Sequence, residues 1–193
     1  EFHARHRDSL LITSWHNHWP ETAIGIAASK HISAEPVIDQ KGSLMITRWA
    51  ETNGIPADAF IDLGLIPNRK MPSILKDMDT AIFPNRCEGG TNLVAMETMA
   101  SGVPCILSAN TGHLDIITEN NCFALSDQRA FASPDGLASM WRESQIEQIV
   151  EMLELIYSDH SEAKKRGTAG AKTMQSLSWV HQTRKLITSI ENL

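Results

Sequence analysis

Residues 88–97 read Glu-Gly-Gly-Thr-Asn-Leu-Val-Ala-Met-Glu, and the chain's chemistry is concentrated there. Gly89 and Gly90 carry no side chain that could cover their backbone N–H groups, so those groups are open to an anion. Helical spacing begins at Leu93, with Asn92 or Thr91 placed to cap it and Gly102 just past its end. Before the loop, residues 80–84 (TAIFP) read as a strand. Strand, glycine-rich loop and helix start form the order that binds phosphate. The first amides of a helix have no intrahelical acceptor, and the helix dipole adds about half a positive charge at that point. Glu97 lies one turn into the helix, within reach of sugar hydroxyls beside a phosphate. Glu88 lies on the approach side of the loop. Two carboxylates touching a diphosphate would repel it, but flanking it they accept hydrogen bonds from hydroxyl groups.

The elements that position this segment alternate. Strands are expected at 10–15, 59–64, 80–84, 104–108 and 122–126, and helices at 43–54, from Pro72 onward, at 93–101 and at 113–119. Such alternation with short connections predicts βαβ units and a Rossmann-like parallel sheet flanked by helices, an α/β fold. Ligands of these sheets lie at the carboxyl ends of the strands, so loops 16–21, 65–71, 85–92 and 109–113 would share one rim. Residues 127–143 have no clear period and read as a loop. Ser144 and Glu147 form a capping box for a helix with Ile146, Ile149, Val150, Leu153 and Ile156 on one face. A last helix over 178–192 points Val180, Ile187 and Ile190 one way, and these helices should cover the sheet.

Bulk properties narrow the function. With 193 residues, 42% apolar and 21% charged, the chain fits one globular domain over 1–193, with its sheet core at about 10–126 and its C-terminal helices at about 144–192. A net charge of −6 argues against nucleic acid as a partner. No apolar run is long enough to span a bilayer. Cys87, Cys105 and Cys122 cannot form a paired framework, and they read as reduced, mostly buried thiols of a cytoplasmic protein.

Other candidates compete with plainer readings. Trp15–Glu21 follows the first strand on the ligand rim, and a loop anchored by its two tryptophans outweighs substrate contact. His16 and His18 lack a further ligand at metal spacing. Asp77-Met78-Asp79 imitates an Asp-x-Asp metal motif but reads as a helix end and turn. Gly167–Thr173 imitates a P-loop with no strand before it, and a charged helix surface explains it better. Arg86 is a candidate phosphate ligand or an exposed loop residue, and His113 a sugar contact or a helix cap.

The ordered block EGGTNLVAMETMASGVP, residues 88–104, resembles the donor-binding domain of glycosyltransferase family 4, the C-terminal half of a GT-B fold. FIDLGLIPNRKMPSILKDMDTAIFPNR before it and ILSANTGHLDII after it extend the likeness over about 58–126, and 144–190 match in layout. The resemblance implies a retaining, metal-independent enzyme that transfers a hexose from a nucleotide-diphosphate sugar, its donor substrate, to a hydroxyl acceptor, with no cofactor. It makes Glu88 the candidate catalytic residue, contacting hydroxyls of the donor sugar. Residues Gly89, Gly90, Thr91, Asn92 and Leu93 would hold the diphosphate, Glu97 the ribose, and the loop Leu65–Met71 the base. Eight residues separate Glu88 from Glu97 where the family has seven, so alignment from Glu97 puts the family's first Glu on Gly89.

The family's first strand and its basic loop have no counterpart before residue 10. The resemblance therefore implies that a central strand and an N-terminal acceptor domain lie upstream, that any peripheral membrane association runs through that domain, and that this fragment alone is inactive or unstable. Rival readings are a sugar-nucleotide epimerase on the same scaffold, and a non-catalytic binding domain.

Overall fold

The computed structural model describes residues 1–16, 18–24, 26, 31–131, 138 and 140–192. The chain divides into two compact units, Glu1–Lys70 and Met71–Leu193.

In the first unit, helix α1 (Phe2–Arg5) precedes β1 (Leu11–Thr13), and α2 (Ile46–Thr52) precedes β2 (Phe60–Asp62). β1 and β2 pair in parallel, Leu11 opposite Phe60 and Thr13 opposite Asp62. Ile46 and Ala50 of α2 pack with Leu44 and Phe60 into one buried cluster. α2 ends as expected at Gly54, whose φ of 84° is open to glycine at little cost.

The second unit carries the segment of interest and has three layers. α3 (Met71–Leu75) leads into β3 (Ala81–Phe83), α4 (Leu93–Ala100) into β4 (Cys105–Ser108), and β5 (Phe123–Leu125) follows. The three strands form one parallel sheet, β3-β4-β5. All four β4 residues are buried, which is why Cys105–Leu107 read as a continuous apolar run rather than an alternation, with the polar Ser108 at the strand's end. Cys105 and Leu107 face Ala95 and Met99 of α4 and Met174 of α6 (His160–Ser176). Ile106, with Phe123 and Leu125, faces Ile156 of α5 (Ile146–Ser158) and Ala163 of α6. A fully buried side chain such as Met99 contributes about 1.5–3 kcal/mol. α4 closes in a Schellman arrangement: Gly102 sits at φ 80°, its N–H donates to the Met99 carbonyl, and the Val103 N–H to that of Thr98.

Five expected strands are present at their expected places, and the fold is α/β with parallel sheets flanked by helices. Four expectations need correction. Residues 127–143 contain an antiparallel hairpin, β6 (Gln128–Ala130) with β7 (Arg142–Ser144); residues 132–137 and 139 between them lie outside the described residues. Ser144 therefore ends a strand. Its hydroxyl is engaged with that of Ser108 at 2.6 Å, so it forms no capping box, and α5 starts from Gln145 without a side-chain cap. The helix expected at 113–119 is a 3-10 turn over Thr111–Asp115. α7 (Trp179–Glu191) covers no sheet: Val180, Ile187 and Ile190 are all exposed.

α6 is the helix that the periodicity hid. Its charged residues mask a buried face of Ala163, Gly167, Gly170 and Met174. Gly167 lies against the Gly102 carbonyl, where a Cβ would come within 2.3 Å, and Gly170 against that of Asn121. Gly167–Thr173 is thus part of a helix with Thr168 and Lys172 on its exposed surface, as expected, while Gly167 and Gly170 form a close-packing seam on its buried face. Arg166 fastens the same helix to β5, donating to the Cys122 carbonyl at 2.7 Å and stacking on Phe123. Its hydrogen bond to Glu162 holds that carboxyl below the usual carboxylate range.

Cys105 and Cys122 are buried and Cys87 is half-buried, all as free thiols. Burial pushes the Cys105 thiol up and that of Cys122 up to about 11, Arg166 opposing it in the second case. Among the described residues no helix is long and apolar enough to cross a membrane.

Candidate functional site

The segment Glu88–Glu97 lies wholly in the second unit, between the carboxyl end of β3 and the first turns of α4. Asn92 caps the helix: its Oδ1 accepts from the Ala95 N–H at 3.0 Å, and its carbonyl from the Met96 N–H at 3.0 Å. Among the described residues, the amides of Gly90, Thr91, Leu93 and Val94 have no protein acceptor. Gly89, Gly90, Thr91, Leu93 and Val94 are exposed, so these N–H groups belong to a surface open to solvent. Glu97, one turn on, is exposed as well.

The loop is shaped from beneath by the 3-10 turn that follows β4. The Glu88 N–H donates to Thr111 Oγ1 at 2.7 Å, and the Gly112 N–H to the Glu88 carbonyl at 3.3 Å. Gly90 then lies so close that a Cβ on Gly112 would fall 1.4 Å from its carbonyl oxygen. Thr111 holds a left-handed φ of 38°, a strained backbone for a β-branched residue. Asn110 binds the turn to both sides: its Nδ2 donates to the Asn85 carbonyl at 2.9 Å and to Gln128 Oε1 at 3.0 Å, and its Oδ1 accepts from Thr111 Oγ1 at 3.1 Å.

The Glu88 carboxylate is held on one oxygen. Oε1 accepts from Asn85 Nδ2 at 2.7 Å and from Asn92 Nδ2 at 3.1 Å. Glu88 is half-buried, and among the described residues Oε2 has no hydrogen-bond donor. One oxygen fixed and the other free suits a carboxylate that accepts a bond from a ligand hydroxyl. Asn92 Nδ2 also meets His113 Nε2 at 3.1 Å, and His113 Nδ1 meets the Ser108 carbonyl at 3.0 Å. A carbonyl can only accept, so Nδ1 carries the hydrogen and Nε2 is the acceptor, a neutral ring assigned from its partners. His113 is fully buried and both of its ring nitrogens are engaged, with Asn92 and the Ser108 carbonyl, so in this structure it neither caps a helix nor reaches the surface of the loop.

Arg86 is a half-buried, paired residue rather than a loose exposed one. Its guanidinium pairs with Glu143 of β7 through Nε and NH2 and stacks 4.2 Å over the Phe131 ring, while its carbonyl accepts from the Arg142 N–H. Asp77 and Asp79 lie in the turn after α3, as the plain reading had it. Among the described residues, no group of three or more His, Cys, Asp or Glu is arranged to hold a metal ion.

In the first unit, Trp15 packs edge-on to Trp49 at 6.0 Å and tilted on Phe60 at 6.2 Å, whereas Trp19 is exposed. Trp15 thus anchors the loop at 15–21, and Trp19 meets the His18 ring edge-on at 6.2 Å; Asn17 lies outside the described residues. His16 Nε2 lies 2.6 Å from Asp62 Oδ2 at the carboxyl ends of β1 and β2, a pair the sequence did not suggest. Of the expected base loop, Leu65–Lys70 close the first unit and Met71 opens α3.

Sequence reasoning missed the supporting residues Asn85, Asn110 and Thr111. The rim loop 109–113 did contain the signal: an Asn-Thr-Gly run after a buried strand is turn chemistry, and its side chains had to bond something at that strand's end.

Residues 43–136, just under half of the chain, match the family described as Glycosyl transferases group 1. No curated protein matches this chain. Among solved structures, the chain is similar to HepE of Anabaena in complex with UDP, at 12% identity and a TM-score of 0.57 over 77% of this chain and 36% of that one. The same protein with UDP and glucose gives 13% identity and 0.58, over 76% and 35%. Sucrose-phosphate synthase of Thermosynechococcus elongatus gives 20% identity and 0.58, over 76% and 34%. The chain thus spans about a third of the length of these neighbours, which are GT-B glycosyltransferases and share its fold.

Proposed function

We propose that this chain is the nucleotide-sugar-binding domain of a retaining, metal-independent GT-B glycosyltransferase that transfers a hexose from a nucleoside diphosphate sugar to a hydroxyl acceptor. The observation that carries the reading is the solvent-open run of unpartnered amides at Gly90, Thr91, Leu93 and Val94 at the start of α4. A diphosphate satisfies such donors and gains from the helix dipole. As the sugar departs, charge grows on the diphosphate, and fixed amides stabilise it without reorganising. Arg86 is engaged elsewhere, so in this segment the backbone does that work. Glu88 offers its free oxygen to the sugar, and Glu97 reaches the ribose hydroxyls. Support for a glycosyl-transfer role comes from the family match over residues 43–136, and for a uridine nucleotide from the UDP-bound neighbour.

Calorimetry of the full-length protein against UDP-, GDP- and ADP-sugars tests this reading. One nucleotide series is expected to bind, and Glu97→Ala to weaken it by roughly ten- to a hundredfold, the worth of a hydrogen bond to a charged group. Equal affinity in the variant would remove the ribose role. Release of nucleoside diphosphate only when an acceptor is present would mark transfer, while isomerisation of the donor alone would mark an epimerase.

A further inference from the structure

We infer that His113 is a positioning residue that sets the Glu88 carboxylate for the donor sugar, acting through the side chain of Asn92. The inference rests on the proposed reading of this loop as a nucleotide-sugar site. Asn92 has both of its side-chain donors in use. Its Oδ1 is taken by the Ala95 N–H, and its Nδ2 donates to Glu88 Oε1 and to His113 Nε2. Capping therefore fixes which end of the amide faces inward, and the ring fixes how far it turns. The ring is itself tied to the Ser108 carbonyl, the last residue of the buried strand β4. A continuous line of hydrogen bonds thus runs from the rigid middle of the sheet to a carboxylate at the mouth of the loop. The second donor to Glu88, Asn85, sits in the irregular segment after β3, and among the described residues its side chain gives no such tie to the sheet.

Removing the Nε2 acceptor leaves a buried amide hydrogen without a partner, and Asn92 then turns to satisfy it. The cap and the backbone amides of the loop are separate groups. Loss of His113 should consequently act on the sugar contact more than on the diphosphate contact. That difference separates positioning from general support of the fold.

The probes are UDP, GDP and ADP with their glucose and mannose conjugates, titrated into the full-length protein by calorimetry. The tightest pair of diphosphate and conjugate is carried forward, and the readout is the ratio of the two dissociation constants, the advantage conferred by the sugar. In His113→Leu this ratio should fall by about fivefold, the effect of one lost hydrogen bond of ordinary strength. His113→Gln, which can offer an acceptor to Asn92, should restore it to within about twofold of wild type. Asn92→Ser retains a capping hydroxyl but cannot reach Glu88, and it should lower the ratio as His113→Leu does, even where that variant fails to fold.

A ratio unchanged in His113→Leu and Asn92→Ser, with both ligands weakened alike, would overturn the positioning role and leave the nucleotide site standing. A wild-type ratio near one, with diphosphate bound, would overturn it too, since Glu88 would then make no sugar contact to position. Failure of every diphosphate to bind would overturn the site and the inference together.

Discussion

Gly112→Ala is expected to cut donor turnover by about a hundredfold while the chain still folds. The added Cβ would lie 1.4 Å from the Gly90 carbonyl oxygen, a bonding distance rather than a contact. Ordinary van der Waals contact requires the two to part by about 2 Å, and a misplacement of about 1 Å at a reacting centre already costs about a hundredfold. Gly112 has no positive φ, so its backbone would accept alanine, and the loss is steric alone. What must yield is the Glu88–Gly90 segment, because Thr111 and Asn110 are tied to the Glu88 N–H, to Asn85 and to Gln128. The same displacement would move the amides of Gly90 and Thr91. Steady-state kinetics give the turnover, and thermal unfolding should show a loss of about 1–3 kcal/mol. Wild-type turnover in Gly112→Ala would show that the loop does not rest on the turn.

Gly167→Ala should damage the fold rather than the chemistry. In an open helix the change would be stabilising by about 1 kcal/mol, because alanine is the better helix former. Here the new Cβ would stand 2.3 Å from the Gly102 carbonyl oxygen and 3.1 Å from the Pro104 nitrogen, both backbone atoms that cannot rotate away. Overpacking of this kind costs about 1–3 kcal/mol, occasionally more, and should exceed the propensity gain. Gly102 is also the left-handed terminus of α4, so the collision strains the helix that carries the site. With about 1 kcal/mol of propensity regained, the net loss is about 1–2 kcal/mol, a fall in melting temperature of about 2–8 °C in a chain of this size. A rise instead would mean that α6 moves off freely and that the seam is not close-packed in solution.

The sequence revealed the parts of the fold that follow from local periodicity. β4 is apolar from Cys105 to Leu107 because both of its faces are covered, and α4 shows its cap and its terminal glycine in plain order. The hairpin β6–β7 escaped notice because its two strands are only three residues each and are separated by residues that carry no alternation. α6 escaped because its buried face is made of alanine and glycine, which give almost no hydrophobic signal although they decide how closely the helix approaches α4. Ser144 was misassigned for a related reason. A Ser-x-x-Glu spacing fits a helix start by itself, and only the tertiary neighbour Ser108 shows that the hydroxyl is already in use.

In the site, the residues with obvious chemistry were legible and those that orient them were not. Glu88, the two glycines, Asn92 and Glu97 could be singled out by type and spacing. The role of His113 could not, since an exposed and a buried histidine look alike in a sequence. Its burial changes its part from a ligand of sugar to a support for Asn92. Arg86 changes too: a residue that could have been a loose loop side chain is paired with Glu143 and stacked on Phe131.

The central claim is that the backbone amides at the start of α4 hold the diphosphate of a nucleotide sugar. Amide chemical shifts of the isotopically labelled full-length protein, followed through a titration with UDP, GDP and ADP, test it most directly. For the nucleotide that binds, the N–H resonances of Gly90, Thr91, Leu93 and Val94 should move most and should saturate along one common curve, with Ala95 and Met96, already bonded to Asn92, moving less. Saturable binding that leaves those four amides in place would contradict the account.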